Sequence, residues 1–188
     1  VLSKSYRIPN NINKKLFSEN GIVKTLNSKY PYRKQKSWFS NDSNTEGVFE
    51  KIHLNQLLEI VTKFPKKEWL IMAATHGTLS KFSESLEREN IPHLLRNVLV
   101  PKNSESNILP SIKLSTIWGA KGGEADISCL IRGNFVDESM MLEDPRLIYV
   151  AHTRTKSIHF EITDFLRNNI KAKTSILGML LILFSFRP

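Results

Sequence analysis

The chain has 188 residues and a formal net charge of +9 at pH 7, from 27 Lys and Arg residues against 18 Asp and Glu residues. Its length suits one domain, and 40% hydrophobic with 24% charged residues is an ordinary globular composition. These values exclude wholesale disorder, a collagen-like fold and an integral membrane bundle. Cys129 is the single cysteine and leaves no partner for an intramolecular disulfide. We therefore expect a reducing, intracellular (cytoplasmic) location.

The excess positive charge lies at the amino-terminal end. Residues 1–36 contain nine Lys and Arg residues against one acidic residue, whereas residues 37–188 contain eighteen basic and seventeen acidic residues. Aromatic residues such as Tyr6, Tyr30 and Trp38 are interleaved with these basic residues. Such a segment can combine attraction to phosphates with stacking on bases. The alternative is a solvated basic surface whose aromatic residues belong to the core.

The first half of the chain shows helices and strands in alternation. A helix is predicted from Asn10 or Asn11 through Glu19, with Gly21 as a left-handed helix stop, followed by a loop over residues 31–44. A strand over residues 48–53 precedes an amphipathic helix that ends before Pro65. Residues 69–74 form a continuous apolar run, which is typical of a strand buried on both faces. A helix capped by Thr78 then extends to residue 90.

The second half continues the same alternation. Strands are predicted over residues 97–101, 112–118, 127–131 and 158–162. A short helix is predicted from Pro145 to about Thr155, and a last helix over residues 163–169. Alternating strands and helices favour an α/β fold, with a parallel sheet flanked by helices.

The most apolar stretch is the eleven-residue run 176–186. A membrane-spanning helix needs ~20 apolar residues, so we expect no membrane span. We interpret the run as a buried terminal strand or helix, or as a chain end; an anchor to a membrane or a partner is the alternative. The predicted organisation is one domain over residues 1–170 and an apolar tail over residues 171–188.

Common catalytic and metal-binding motifs are missing from the sequence. No G-x-x-x-x-G-K-[ST] phosphate-binding loop occurs, and neither does H-E-x-x-H or G-x-S-x-G. The five histidines have no metal-ligand spacing. The sequence therefore predicts neither a phosphate-cradling loop nor a metal site in this chain.

Three segments carry the strongest functional signal. They are residues 2–9 (LSKSYRIP), 115–126 (STIWGAKGGEAD) and 146–155 (RLIYVAHTRT). In this order they resemble motifs IV, V and VI of the UvrD-like superfamily 1 DNA helicases, which read roughly L-x-x-N-Y-R-S, T-x-H-x-x-K-G-x-E and R-L-x-Y-V-A-x-T-R. Residues 69–93 are similar to a weaker motif between them, so the resemblance spans residues 1 to about 165.

The resemblance implies a RecA-like fold and one half of an ATP-driven motor. In that family the first RecA-like domain carries the phosphate-binding loop and holds Mg²⁺, and the second closes over ATP. This chain resembles the second domain. The family's large insertion before motif V has no counterpart, because only about twenty residues lie between Pro92 and Ile112. The implied partners are a first RecA-like domain and single-stranded DNA.

The resemblance also assigns the residues that face ATP. Arg7 and Arg154 are the candidate catalytic residues, because an arginine at the developing phosphoryl charge is worth ~10³ to 10⁵ in rate. Tyr6 would stack on the adenine and Glu124 would reach the ribose. Gly122 belongs to a Gly-rich turn whose backbone amides can approach phosphate closely. The alternatives are a surface ion pair for Arg154, a packing role for Tyr6, and a purely structural turn with Glu124 at a helix start.

On the DNA side, Thr116 would face the phosphates of single-stranded DNA and Lys121 would add positive charge. Trp118 stands where the family usually has His, and Ser5 stands where it has Asn. The usual link between the DNA and ATP sites is therefore altered at Trp118, although an indole there can stack on a base. The sequence predicts the carboxy-terminal motor domain of an ATP-dependent DNA helicase. The rival hypothesis is a non-catalytic module that binds nucleic acid through its basic amino end.

Overall fold

A computed structural model describes residues 8–31, 45–95, 97–100, 111–132 and 135–162. These ranges contain six helices: α1 (Asn10–Phe17), α2 (Ile22–Lys29), α3 (Leu54–Lys63), α4 (His76–Arg88), α5 (Phe135–Glu143) and α6 (Arg146–His152). The helix predicted over residues 163–169, the apolar tail at 171–188 and most of the loop predicted at 31–44 lie outside the described residues.

The described strands form one seven-stranded sheet. They are β1 (Val48–Ile52), β2 (Trp69–Ala73), β3 (His93–Leu95), β4 (Val98–Val100), β5 (Ile112–Thr116), β6 (Ala125–Ile131) and β7 (Thr155–Ile162). Their order across the sheet is β1-β7-β6-β2-β5-β3-β4. Every neighbouring pair is parallel except β3 and β4, which are antiparallel. The predicted α/β fold with a parallel sheet is therefore confirmed.

Helices α3 and α4 cover one face of the sheet. Their apolar side chains, such as Leu57 and Phe82, pack against Ile71 of β2 and Phe160 of β7 in the largest hydrophobic cluster. The spacing of these residues along each helix gives one apolar stripe, which is why the sequence predicted both helices. Trp69 also lies on this face, and its ring stacks on Phe160 at a centroid distance of 6.2 Å.

The opposite face of the sheet is covered unevenly. Leu70 and Met72 of β2 pack there against Met141 of α5 and Leu147 of α6. Helices α1 and α2 form a further cluster near β1, centred on Ile12. Because side chains alternate along a strand, β2 presents apolar residues to both faces and is buried throughout.

Two predicted helix signals were wrong. Thr75, rather than Thr78, caps α4: its extended backbone lets the side-chain oxygen accept a hydrogen bond from the Thr78 backbone N–H at 3.3 Å. Gly21 is not a left-handed stop, because its φ is −79° and it immediately precedes α2. A glycine is still required there, since a Cβ would lie 2.2 Å from the backbone oxygen of Leu16.

Two predicted boundaries also moved. The strand predicted over residues 112–118 ends at Thr116, because the chain turns directly after it. The helix predicted through Thr155 ends at His152, and Thr155 is already the first residue of β7. The local apolar pattern predicts a longer strand and a longer helix, but the chain forms turns at residues 117 and 153 and ends both elements there.

A pair of buried histidines lies between the sheet and α6. The ring of His152 at the end of α6 is 4.6 Å from the ring of His159 on β7. His159 Nδ1 lies 2.6 Å from the hydroxyl oxygen of Ser128, and Phe49 meets the His152 ring edge-on at 5.1 Å. Among the described residues, both ring nitrogens of His152 are buried without a hydrogen-bond partner. Such a site favours the neutral imidazole.

Burial controls the charge of both rings. Desolvation lowers the pKa of His152 to about 4, against a smaller opposing effect of the Glu161 carboxylate, and Arg132, Lys51 and Lys15 lower it further. Desolvation lowers the pKa of His159 well below 6.5, and the neighbouring His152 adds to this shift. Each histidine in the unfolded chain titrates near 6.5 and binds a proton before the folded one does. The folded state therefore loses stability as pH falls from about 6.5 towards 4.

We predict that replacing His152 with Leu makes stability less sensitive to acid. In the unmodified chain, His152 alone removes roughly 1 kcal/mol of unfolding free energy at pH 5.5, one unit below its unfolded pKa. Urea unfolding at pH 7.5 and pH 5.5 measures this loss. The unmodified chain, measured at the same two pH values, is the reference and should show the full loss. An equal acid sensitivity in the variant and the unmodified chain would contradict a buried neutral His152.

Candidate nucleotide and nucleic-acid site

The described end of the first predicted segment, which starts at Ile8, lies beside the edge at which the parallel strands begin, which we call the amino edge. Tyr6 and Arg7 lie outside the described residues, but the chain immediately after them is described. Ile8 is buried, and the backbone N–H groups of Asn10 and Asn11 donate to the carbonyl oxygens of Thr45 and Glu46 at 3.1 and 2.8 Å. Residues 45–47 directly precede β1, so the chain following Arg7 is fixed at the amino edge.

Arg154 lies at the same edge, between the end of α6 and the start of β7. Its Nη1 donates to the Gly123 carbonyl oxygen at 3.2 Å, and its Nε donates to the Val150 carbonyl oxygen at 3.1 Å. Its Nη2 lies 3.2 Å from the Thr153 hydroxyl. These three contacts orient the guanidinium. The planar fork is therefore held in a defined position at the amino edge.

Glu124 is next to Arg154 in space. The Ala125 backbone N–H donates to the Arg154 carbonyl oxygen at 3.0 Å, and Ala125 pairs with Thr155 where β6 and β7 begin. Glu124 is exposed. The second and third predicted segments thus meet, and they bring together two of the residues predicted to face ATP.

Thr116 lies at the opposite end of the sheet, which we call the carboxyl edge. It is the last residue of β5 and pairs with Ala73 at the end of β2. Its hydroxyl oxygen accepts from the Gly119 N–H at 3.1 Å, and its carbonyl oxygen accepts from the Ala120 N–H at 2.9 Å. Thr116 and Ala125 are separated by about six residue steps along the strand direction, or roughly 20 Å. Thr116, predicted to face DNA, therefore lies at the opposite edge from Glu124 and Arg154, predicted to face ATP.

Residues 117–124, which we call the crossover loop, connect these two edges. The loop passes over β2, and its Ile117 and Ala120 are buried in the same cluster as Leu70. Gly122 has a φ of +82°, a conformation that favours glycine. The loop is therefore an anchored turn, as in the structural alternative for this segment, but Glu124 directly precedes strand β6, so the helix start that this alternative placed at Glu124 is wrong. Anchoring is also compatible with the predicted binding roles.

Trp118 and Lys121 are exposed side chains of the crossover loop. Trp118 has the largest apolar side chain of the loop, and Lys121 carries its positive charge. The Trp118 side chain is 45% exposed. The Lys121 ammonium lies 4.3 Å from the centroid of the indole ring, a cation–π contact. Trp118 and Lys121, which the sequence predicts to bind DNA together with Thr116, are thus in direct contact with one another.

A cleft runs along β5 beside the crossover loop. Two overlapping cavities of about 420 and 580 Å³ share Leu70, Leu94 and Lys113. The smaller reaches Thr116 at the carboxyl edge, and the larger reaches Glu124 at the amino edge. The cleft therefore extends between the two predicted sites. Lys113 is a cleft residue that the sequence reading missed, because a single lysine on a strand carries no recognisable motif.

The basic amino-terminal segment is partly engaged with the chain's own residues. Lys29 Nζ donates to the Leu142 carbonyl oxygen at 3.1 Å and also contacts the Glu143 carbonyl. Lys15 Nζ lies 5.7 Å from the ring centroid of Phe49. These contacts give two of the nine basic residues an intramolecular role. Residues 1–7 and 32–44 of that segment lie outside the described residues.

No metal site is found in the part of the chain that the structure describes. There, no three His, Cys, Asp or Glu side chains come together as metal ligands. Nor does any described helix have the length and apolar character needed to cross a membrane.

Comparison with known proteins gives a likeness at the level of the fold. No protein-family model matches the chain, and no curated protein matches it. Among solved structures, the chain is similar to the C-terminal domain of a possible DNA helicase from Lactobacillus plantarum WCFS1, with a TM-score of 0.50 and 12% sequence identity. The match covers 93% of this chain and 92% of that chain. It supports the parallel α/β fold, which is consistent with the predicted RecA-like domain.

We predict that Gly122→Ala destabilises the chain by about 1–2 kcal/mol, the cost of placing a Cβ in the left-handed region. Gly77→Ala is the matched control, because nothing lies within 4 Å of a Cβ at that position and it lies in α4. That substitution should be neutral or stabilise the chain by up to about 1 kcal/mol. Urea unfolding of both variants provides the measurement. Equal stability of the two variants would show that the turn at Gly122 has another conformation.

Proposed function

We propose that this chain is the carboxy-terminal motor domain of an ATP-dependent DNA helicase or translocase, acting together with a first RecA-like domain. The observation that carries the proposal is the contact between Arg154 and the Gly123 carbonyl oxygen, which joins the second and third motif segments at one edge. The fold likeness to a domain of a possible DNA helicase supports the same conclusion.

The amino edge has the chemistry needed to complete an ATP site. Arg154 presents a guanidinium held in place by the Gly123 and Val150 carbonyl oxygens, and in this position it would contact a γ-phosphate brought in by another domain. Glu124 is exposed beside it and can accept a hydrogen bond from a ribose hydroxyl. Arg7 and Tyr6 directly precede Ile8 in the sequence, and the resemblance implies that they would also face ATP. Mg²⁺ and the phosphate-binding loop would belong to the first domain.

The reaction proposed is hydrolysis of ATP to ADP and phosphate. Domain closure would place Arg154 against the γ-phosphoryl oxygens, where negative charge is redistributed in the transition state. The arginine accelerates the step because its position is already set before closure, so little reorganisation is needed. This chain's residues would thus act on ATP that the neighbouring domain binds.

The carboxyl edge would hold single-stranded DNA. Thr116 lies there, and its hydroxyl oxygen accepts from Gly119 while its own hydrogen stays available to a phosphate oxygen. The crossover loop connects Thr116 to Glu124 through eight residues of anchored chain, through which a movement at one edge would reach the other. This continuity provides a physical route from ATP turnover to strand movement.

The rival function is a nucleic-acid-binding module that does not meet ATP. The basic residues 1–36 favour it, and Lys15 and Lys29 keep their positive charge, because their contacts described above are with an aromatic ring and with carbonyl oxygens. That hypothesis gives no role to the orientation of Arg154. The two functions differ in whether Arg154 affects ATP turnover.

We predict that Arg154→Ala lowers ATP turnover of the two-domain motor by at least ~10³, with folding and DNA binding nearly unchanged. Arg154→Lys should restore little, because an ammonium lacks the planar fork that contacts two oxygens at once. Steady-state ATP hydrolysis in the presence of single-stranded DNA gives the measurement, and thermal unfolding reports on stability.

The matched control is Arg88→Ala. Arg88 Nε donates to the Glu84 carbonyl oxygen near the end of α4, so it is also an arginine bound to a neutral acceptor, but it is distant in sequence from the three motif segments. Its removal should leave turnover unchanged. If Arg154→Ala also kept normal turnover, the proposed role of the amino edge would be wrong and the binding-module hypothesis would be favoured.

A further inference from the structure

Helix α5 has apolar side chains on two of its faces. Met141 is buried against the sheet. Five large hydrophobic side chains are exposed in the part of the chain that the structure describes, and three of them lie on α5: Phe135, which is 88% exposed, Val136 and Leu142. A helix that is apolar on a second face is typical of one that another segment covers.

The exposed face of α5 lies on the side of the helix that is linked to β7. Glu138 follows Phe135 by three residues and precedes Leu142 by four, so all three lie on the same side. The Glu138 carboxylate accepts from Nε and Nη2 of Arg132 at 3.0 and 2.7 Å. Arg132 Nη1 also donates to the carboxylate of Glu161 on β7 at 2.6 Å. This ion-pair network fixes the exposed face beside the end of β7.

The described part of the chain ends where α5 begins. Ile162 is its last residue, and its carbonyl oxygen accepts from the Arg132 backbone N–H at 2.6 Å. Phe135 follows Arg132 by three residues, or at most about 11 Å. The other exposed apolar side chains are farther away: Trp118 follows β5, three strand positions from β7, and Val98 lies on β4, five positions away. The chain after Ile162 therefore starts closest to α5.

Residues 163–188 contain a segment that suits this face. The run 176–186 (ILGMLLILFSF) has nine apolar residues and no charge. Residues 163–175 can span up to about 45 Å, and α5 is only about 13 Å long, so the run can reach all of it. Charge favours the same pairing: residues 163–188 contain four basic residues and one acidic residue, whereas α5 contains three acidic residues and no basic ones.

We propose that the apolar run 176–186 packs on the exposed face of α5 formed by Phe135, Val136 and Leu142. Burial of both apolar surfaces stabilises the contact. The run is joined to β7 by a short connection, so its effective concentration at α5 is high, and it competes well with a second copy or a separate protein. The inference goes beyond the proposed function, because it concerns contact with neither ATP nor DNA.

The deciding experiment measures how fast a maleimide labels the 188-residue chain carrying Leu142→Cys. Cys129 is the single natural cysteine and is fully buried on β6, so labelling reports on the introduced thiol. With the natural run in place, labelling should be slow. Adding Leu180→Asp and Leu183→Asp should accelerate it at least about tenfold, because a carboxylate is unfavourable against an apolar face and the covered state is lost.

Two controls make the result specific. Ser175→Asp adds a charge just before the run but removes no apolar group, so labelling at position 142 should stay slow. Val98→Cys replaces a side chain that is 52% exposed on β4, and it should be labelled at the same rate with either version of the run. An equal acceleration at positions 98 and 142 would show that the run supports the whole fold, which would overturn a local contact with α5.

Cross-linking tests the contact directly. The chain carrying Leu142→Cys and Ser185→Cys, treated with a short bismaleimide, should form a cross-link within one molecule, identified by mass spectrometry. Ser185 is a polar position within the run, so its replacement keeps every apolar residue. Val98→Cys combined with Ser185→Cys is the matched control and should form far less of the cross-linked product.

Three results would overturn the inference. The first is fast labelling at position 142 that is the same with the natural and the altered run. The second is slow labelling that accelerates on dilution, which would assign the face to a second copy of the chain. The third is labelling that slows only when a first RecA-like domain is added, which would assign the face to that domain.

Discussion

The architecture depends on one short connection. Strands β5 and β6 are parallel and lie on either side of β2, so the chain must return across β2 from the carboxyl edge to the amino edge. It does this in eight residues, whereas crossovers between parallel strands commonly need a dozen or more. The nine Cα–Cα steps from Thr116 to Ala125 span at most about 32 Å when extended, against roughly 20 Å required along the strand direction. Because residues 117–122 form turns, which advance the chain by less than extended backbone does, the crossover loop has little slack.

This restriction explains the composition of the loop. Ile117 and Ala120 fill the space above β2, and Gly122 supplies a backbone conformation with positive φ. A longer loop could place Thr116 and Glu124 independently of each other. The short one fixes both, and its Gly123 carbonyl oxygen also orients Arg154. Strand pairing places Thr116 and Ala125 at opposite edges, and this one connection places the residues between them.

Arg154 is fixed from a second direction by α6. The helix is held by buried Leu147 and Ala151, and only Thr153 separates its last residue from Arg154. Its last residue, His152, packs neutral against His159 of β7. A neutral imidazole is appropriate there, because a protonated one would place a second positive charge in a buried site that already lies near Arg132 and Lys51.

The sequence indicated much of the fold because its strands are dense apolar runs and α3 and α4 have one-sided patterns. It missed α5, in which Phe135 and Leu142 are exposed while Met141 is buried, so no single apolar stripe is visible. It also missed α2 and the three-residue strand β3, which is too short for a periodic signal. Thr75 was overlooked as a cap because the apolar run before it extends to Ala74.

The candidate site was predictable to the extent that its residues lie in contiguous motifs. Thr116, Glu124 and Arg154 were named from the sequence, and the structure supplies their distribution between two edges. That distribution follows from strand order, which depends on contacts distant in the sequence. Lys113 could not be predicted for the same reason. It lines the cleft because β5 lies between β2 and β3 in the folded sheet.

The central claim is that the amino edge of this sheet faces ATP. Hydrogen–deuterium exchange of the two-domain motor, with and without a non-hydrolysable ATP analogue and Mg²⁺, tests it directly. The account predicts slower exchange on nucleotide binding at residues 122–124 and 153–154, at the amino edge. Unchanged exchange there, with protection confined to the first domain or to the carboxyl edge, would contradict it.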